Sequence, residues 1–168
     1  CKLEKAGTIR PAHSTYNSSI WPLQKPDGTW RMTVDYRELN KVMPPIHASV
    51  PSIASVPSIA SLMGTLSREI ETYHCVLDLA NAFFSILVHE ESQDQFAFMW
   101  RVRQWIFHVL LQGYVHSPTY FHNVVARDQA DWNNPNNIKL YHYIGELMLM
   151  SDLLEALGKA VDSLATYL

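Results

Sequence analysis

Two carboxylates stand at the ends of apolar, strand-like segments. Asp78 closes the run that starts at His74, and Glu146 follows Gly145 inside the stretch from Ile138 to Met150. Carboxylate oxygens are hard ligands of the kind Mg²⁺ prefers. Taken alone, Tyr141 to Leu147 is an ordinary β-hairpin with a glycine at its turn. Lys25 and Arg31 flank Pro26-Asp27-Gly28-Thr29 and, singly, read as surface charges of another hairpin. Phe83 reads singly as core, and Gln112, beside Gly113, as a polar group at a strand end. The eight histidines are scattered without a His-Glu-x-x-His pattern, and no P-loop or Gly-x-Gly-x-x-Gly is present. Cys1 and Cys75 form neither a metal-ligand spacing nor a disulfide framework, which points to a reducing, intracellular compartment, cytoplasmic or nuclear.

These groups need elements to hold them. A chain of 168 residues, 48% hydrophobic and 17% charged, is one domain's worth of foldable sequence and is not compositionally disordered. No apolar run is long enough to span a membrane. Leu3 to Ala6 is expected to end a helix at Gly7. Strands are expected from Ser19 and from Trp30 to Tyr36, giving a hairpin over 20–36 because Asp27-Gly28 accepts a positive φ. Val50-Pro51-Ser52-Ile53-Ala54-Ser55 recurs at once as Val56 to Ser61, a duplicated insert over 50–61. Pro57 would break a helix begun at Pro51, so the helix is expected from about Ser58 to Tyr73. A strand then runs to Leu79, with a continuation over Phe83 to Val88. An antiparallel pair is expected over Phe96–Trp100 and Trp105–Leu110, and a helix from Ser117-Pro118 to about Trp132. A second hairpin spans Ile138–Tyr143 and Leu147–Met150. A closing helix over Asp152–Leu168 carries Leu154, Leu157, Val161, Leu164 and Leu168 as its apolar stripe, with Asp152 and Glu155 as a capping box. Strand, helix, hairpin and helix in this order describe a split βαβ unit, an α+β, ferredoxin-like arrangement.

Charge is uneven along the chain. Residues 1–41 hold seven Lys/Arg against four Asp/Glu, and residues 42–168 hold six against twelve. Phosphate contacts, if the chain makes any, belong with the basic end. A solvated basic face explains the same surplus.

Three segments taken together carry more than any residue alone: Trp30 to Lys41, Val76 to Phe84, and Leu140 to Leu147. They resemble the fingers and palm of a retroviral reverse transcriptase, and are most similar to the L-type endogenous retroviruses. There the turn reads Tyr-Ile-Asp-Asp where this chain has Tyr143-Ile144-Gly145-Glu146. The resemblance implies a fingers-like segment over 1–73, a palm-like segment over 74–168 and no thumb. It implies RNA-directed DNA synthesis with Mg²⁺ and dNTPs on an RNA or DNA primer–template. Such nucleotide addition uses two divalent ions about 3.5–4 Å apart, gathered in that family by three aspartates. Asp78 matches the first; Gly145 and Glu146 occupy the other two positions. Gly145 offers no ligand, and Glu146 displaces its oxygens by about one carbon–carbon bond, roughly 1.5 Å. The metal site of Asp78 and Glu146 is thus expected to be weak or lost, and the copy catalytically impaired.

By the same resemblance, Lys25 approaches the triphosphate, Arg31 stacks on the incoming base and reaches its phosphate, and Phe83 underlies the sugar. Gln112 and Gly113 line the same nucleotide pocket. The family's Leu-Pro-Gln-Gly reads Leu110-Leu111-Gln112-Gly113 here, and Asn81 and His116 are further departures. Two alternatives stay open beside a decayed polymerase: a non-catalytic nucleic-acid-binding module, and a co-opted structural domain with a protein partner.

Overall fold

The computed structural model describes residues 2–46, 73–135 and 138–168. The duplicated hexapeptide and nearly all of the helix expected after it lie outside the described residues. The chain forms two compact units, each built from two separate segments. Cys1–His47 joins Asn81–Pro118, and Ala48–Ala80 joins Thr119–Leu168.

The first unit opens with a short helix α1 (Lys2–Lys5) that stops at Gly7. Gly7 adopts φ +64°, and the amides of Gly7 and Thr8 return to the carbonyls of Glu4 and Leu3, satisfying orphaned helix-end acceptors. Strand β1 (Ile9–Pro11) follows, then the hairpin of β2 (Ser19–Gln24) and β3 (Trp30–Asp35), in register from Ser19↔Asp35 to Gln24↔Trp30. Its loop is built as the sequence indicates: Gly28 takes φ +80°, and the Thr29 amide and hydroxyl both donate to Asp27 Oδ1. Helix α2 (Arg37–Val42) comes next. Strands β5 (Ala97–Trp100) and β6 (Arg103–Phe107) form the expected antiparallel pair, extended by β1 into a three-stranded sheet in the order β1-β6-β5. The turn is tighter than the sequence reading had it, because Arg101 enters the left-handed region at φ 58°. Ile9, Val34, Tyr36, Phe96, Phe98 and Phe107 lead a common apolar core.

One element of this unit corrects the expectation. Phe83 does not begin a strand: Ala82–Ser85 is a 3₁₀ turn, entered through Asn81 at φ 55°. Asparagine tolerates that conformation better than most side chains, which gives Asn81 a backbone reason for being there. Pairing resumes only beyond it, where Leu110 N–H donates to Ile86 and Val88 N–H to His108.

The second unit holds an antiparallel sheet in the order β4-β8-β7, from β4 (Tyr73–Asp78), β7 (Lys139–Tyr143) and β8 (Glu146–Ser151). Tyr73 belongs to β4 and not to a preceding helix. Strand β8 is central, and Leu147, Met148, Leu149 and Met150 are all buried. A strand paired on both edges and covered on both faces reads as a continuous apolar run, which is why no alternation marks it. Two helices complete the unit, α3 (Ser117–Asp131) and α4 (Leu154–Tyr167). In α4 the buried stripe is Leu157, Ala160 and Leu164, while Leu154 and Leu168 are exposed, so the expected stripe is shorter at both ends. The cap also differs. Leu153 occupies the N-cap position without a side-chain bond, and its amide is held by Ser151 Oγ at 3.1 Å. The structure shows no Asp152–Glu155 capping box.

Candidate active site

The two acidic positions meet across one strand pair. Asp78 ends β4 and is the Cα partner of Glu146, the first residue of β8; Leu79 N–H donates to the Gly145 carbonyl at 2.8 Å. Adjacent strands lie about 4.8 Å apart, so Asp78, Gly145 and Glu146 share one end of the sheet as the hairpin pattern required. Both carboxylates are exposed.

The turn between β7 and β8 has only Ile144 and Gly145 as its loop. Tight hairpins of this kind favour a positive φ at the first loop position, normally supplied by glycine or asparagine. Here Ile144 takes it, at φ 53°. A β-branched residue in the left-handed region is strained. His142 Nε2 bonds to the Ile144 carbonyl at 2.8 Å, and the His142 ring stacks on His122 of α3 with centroids 4.5 Å apart. Burial holds the His142 imidazole below its usual range, opposed by that backbone bond, with His122 lowering it further. Neither histidine was singled out from the sequence, since no spacing ties position 122 to 142.

As a metal centre the donor set is short. Asp78 and Glu146 supply two carboxylates, Gly145 supplies none, and its carbonyl is already engaged by Leu79. Among the described residues no group of three His, Cys, Asp or Glu side chains could hold a metal ion. These residues do not fit the three-carboxylate set that the resemblance calls for.

The residues expected around a nucleotide all lie in the first unit. Lys25 stands where β2 enters its loop, its amide bonded to Thr29 O at 2.8 Å. Arg31 is the cross-strand partner of Leu23, so by strand alternation Lys25 and Arg31 leave the same hairpin face as Trp21. Phe83 is half-buried in its 3₁₀ turn. Gln112 is exposed, and Gly113 turns the chain at φ +90°. A Cβ on Gly113 would sit 3.7 Å from the Val34 carbonyl and 4.0 Å from the Tyr36 ring, so this turn lies close against β3.

Asn40 was missed as a positioning residue. Its Nδ2 donates to Gly113 O at 2.9 Å and its Oδ1 accepts from Val115 N–H at 3.0 Å, pinning the Gln112–Gly113 loop to α2. An asparagine near a helix end suggests a cap, and nothing local points to a loop 73 positions away. Leu111 is the other surprise. It is buried, and its amide donates to Ser117 Oγ at 3.3 Å, a bond that the family's proline could not make.

The described residues contain no helix long and apolar enough to cross a membrane. The family described as reverse transcriptase (RNA-dependent DNA polymerase) matches residues 23–168. The chain is 35% identical over 159 residues to the Pol polyprotein of feline endogenous virus ECE1, covering 89% of this chain and 14% of that protein. Against the Gag-Pol polyprotein of baboon endogenous virus (strain M7) it is 34% identical over 157 residues, covering 88% and 9%. Among solved structures it resembles native prototype foamy virus protease-reverse transcriptase, with a TM-score of 0.78 and 28% identity over 98% of this chain and 20% of that one. It also resembles a foamy viral protease-reverse transcriptase in complex with RNA/DNA hybrid, with a TM-score of 0.78 and 26% identity over 98% and 20%. The chain thus spans about a seventh or less of the polyproteins it matches here. With the family's pattern running from the first hairpin through the β7–β8 turn to the end of α4, this chain belongs to the reverse transcriptase (RNA-dependent DNA polymerase) family.

Proposed function

We propose that the chain is a fingers-and-palm region of an endogenous retroviral reverse transcriptase whose catalytic metal site is lost, so that it does not polymerise. In this reading residues 1–73 are the fingers-like part, residues 74–168 the palm-like part, and the chain is of the L-type endogenous retroviral kind. The observation that carries it is the pairing of Asp78 with Glu146 beside a turn whose remaining position is Gly145. Two carboxylates, one of them longer than the aspartate it replaces, are asked to do the work of three. A two-metal displacement loses charge stabilisation and nucleophile activation together when a ligand goes, and effects within such a unit do not simply add.

Lys25, Arg31, Phe83, Gln112 and Gly113 form the remnant of the nucleotide pocket in this reading. The solved relatives are described in complex with double-stranded DNA and with RNA/DNA hybrid, which supports a primer–template as the ancestral ligand. The test is primer extension on an RNA or DNA template with dNTPs and either Mg²⁺ or Mn²⁺. No extension is expected. Extension that disappears in Asp78→Ala would overturn the proposal.

A further inference from the structure

Inside the first unit lies an open groove of about 490 Å³. Trp30 and Met32 of β3 form one wall; Phe98, Trp100 and Trp105 of the β5–β6 pair form another. Register explains the second wall. Phe98 pairs with Trp105 and Trp100 with Arg103, so these four side chains share one face. The groove is exposed where it opens: Trp30 is 67% and Trp100 49% accessible.

Cations stand beside two of the rings that line it. The Arg103 guanidinium lies 5.8 Å from the Trp105 ring centroid, and that of Arg101 6.0 Å from the Trp100 ring. Among the described residues neither arginine has an ion-pair partner. The groove's volume falls in the range of small-molecule sites, which are mostly apolar with a few placed polar groups. Its walls are nearly devoid of hydrogen-bonding groups, so a nucleobase buried there would lose its bonds to water without replacement. An apolar ring system loses nothing by the same transfer.

We propose that this groove binds a planar, apolar aromatic anion, an aryl sulfonate or aryl carboxylate. The rings lie between Trp30 and the Trp100–Trp105 wall, and the acid group meets Arg103 at the rim. The groove touches the nucleotide remnant at one residue, Arg31. Arg31 borders the groove, but its side chain leaves β3 on the face opposite Trp30 and Met32, with Lys25 and Trp21.

The test uses the full chain and two fluorescent probes, anilinonaphthalene sulfonate and the uncharged phenylnaphthylamine, with near-ultraviolet circular dichroism verifying native packing in every variant. One saturable sulfonate site per chain is expected. Arg103→Gln should weaken the sulfonate about fivefold, the scale of an exposed ion pair, and leave the uncharged probe unchanged. Trp30→Ala should weaken both probes, and Trp21→Ala neither. Millimolar dATP should displace nothing. Non-saturable binding, indifference to Trp30→Ala, or equal effects of Arg103→Gln on both probes would overturn the proposal. So would displacement by dATP, which would assign the groove to the nucleotide.

Discussion

Residue by residue, the departures from the polymerase pattern have different physical weights. Gly145 and Glu146 alter the donor set and leave the hairpin standing, with its strands paired up to Tyr143↔Glu146. Leu111 alters the packing instead. Its buried amide serves Ser117 Oγ, so restoring the family residue with Leu111→Pro should destabilise the chain by about 1–3 kcal/mol, read from chemical denaturation. An unchanged midpoint would mean that Ser117 finds another partner at no cost. His142 makes the turn sensitive to acid. Its folded-state pKa is depressed, so the unfolded chain binds the proton more readily, and His142 favours folding most above the ordinary imidazole pKa of about 6.5. That contribution is lost as pH falls through the folded value. Melting temperatures measured between pH 7.5 and 5 should therefore drop more steeply in the native chain than in His142→Phe, and parallel curves would refute the assignment.

Elements differ in how plainly their residues announce them. The β2–β3 hairpin was legible because Asp27-Gly28 is a turn by chemistry, whatever surrounds it. The β7–β8 hairpin was legible for its apolar strands, yet its tip was not: the sequence puts the isoleucine where the positive φ falls and the glycine one place later. The turn at Ala82–Ser85 hid behind Phe83 to Val88, an apolar run that suits a strand and folds as one only after Ile86. Helix α4 was found by its period, but its cap was misassigned, since Asp152 and Glu155 have the spacing of a capping box while Ser151 makes the bond. Ser151→Ala should accordingly cost about 1 kcal/mol and Asp152→Ala only a few tenths. Urea titrations of the two variants separate them, and the reverse order would restore the box.

At the scale of the molecule, chain order and spatial order part company. Each compact unit takes one segment from before residue 81 and one from after it. A sequence shows neighbours along the chain, so Asp78 with Glu146 and Asn40 with Gly113 needed either the fold or a family pattern to be seen. The pattern supplied the first pair because both members belong to its motifs; Asn40 has no such pointer. The charge asymmetry persists in three dimensions. The unit containing the hairpin carries nine Lys/Arg against seven Asp/Glu, and the unit containing the carboxylate turn four against nine. The second unit thus has acidic groups in plenty, yet among the described residues no three of them gather where they could hold a metal ion. Convergence can be tested by putting it back. Mg²⁺ is titrated calorimetrically, with dNTP present, into the native chain, into the Gly145→Asp, Glu146→Asp double variant, and into that variant with Asp78→Ala added. No chain-dependent metal heat is expected in the native protein, a saturable one in the double variant, and its loss when Asp78 is removed. Equal affinity in the native chain and the double variant would overturn the proposed loss of the metal site, because metal binding would then not depend on the side chains at positions 145 and 146.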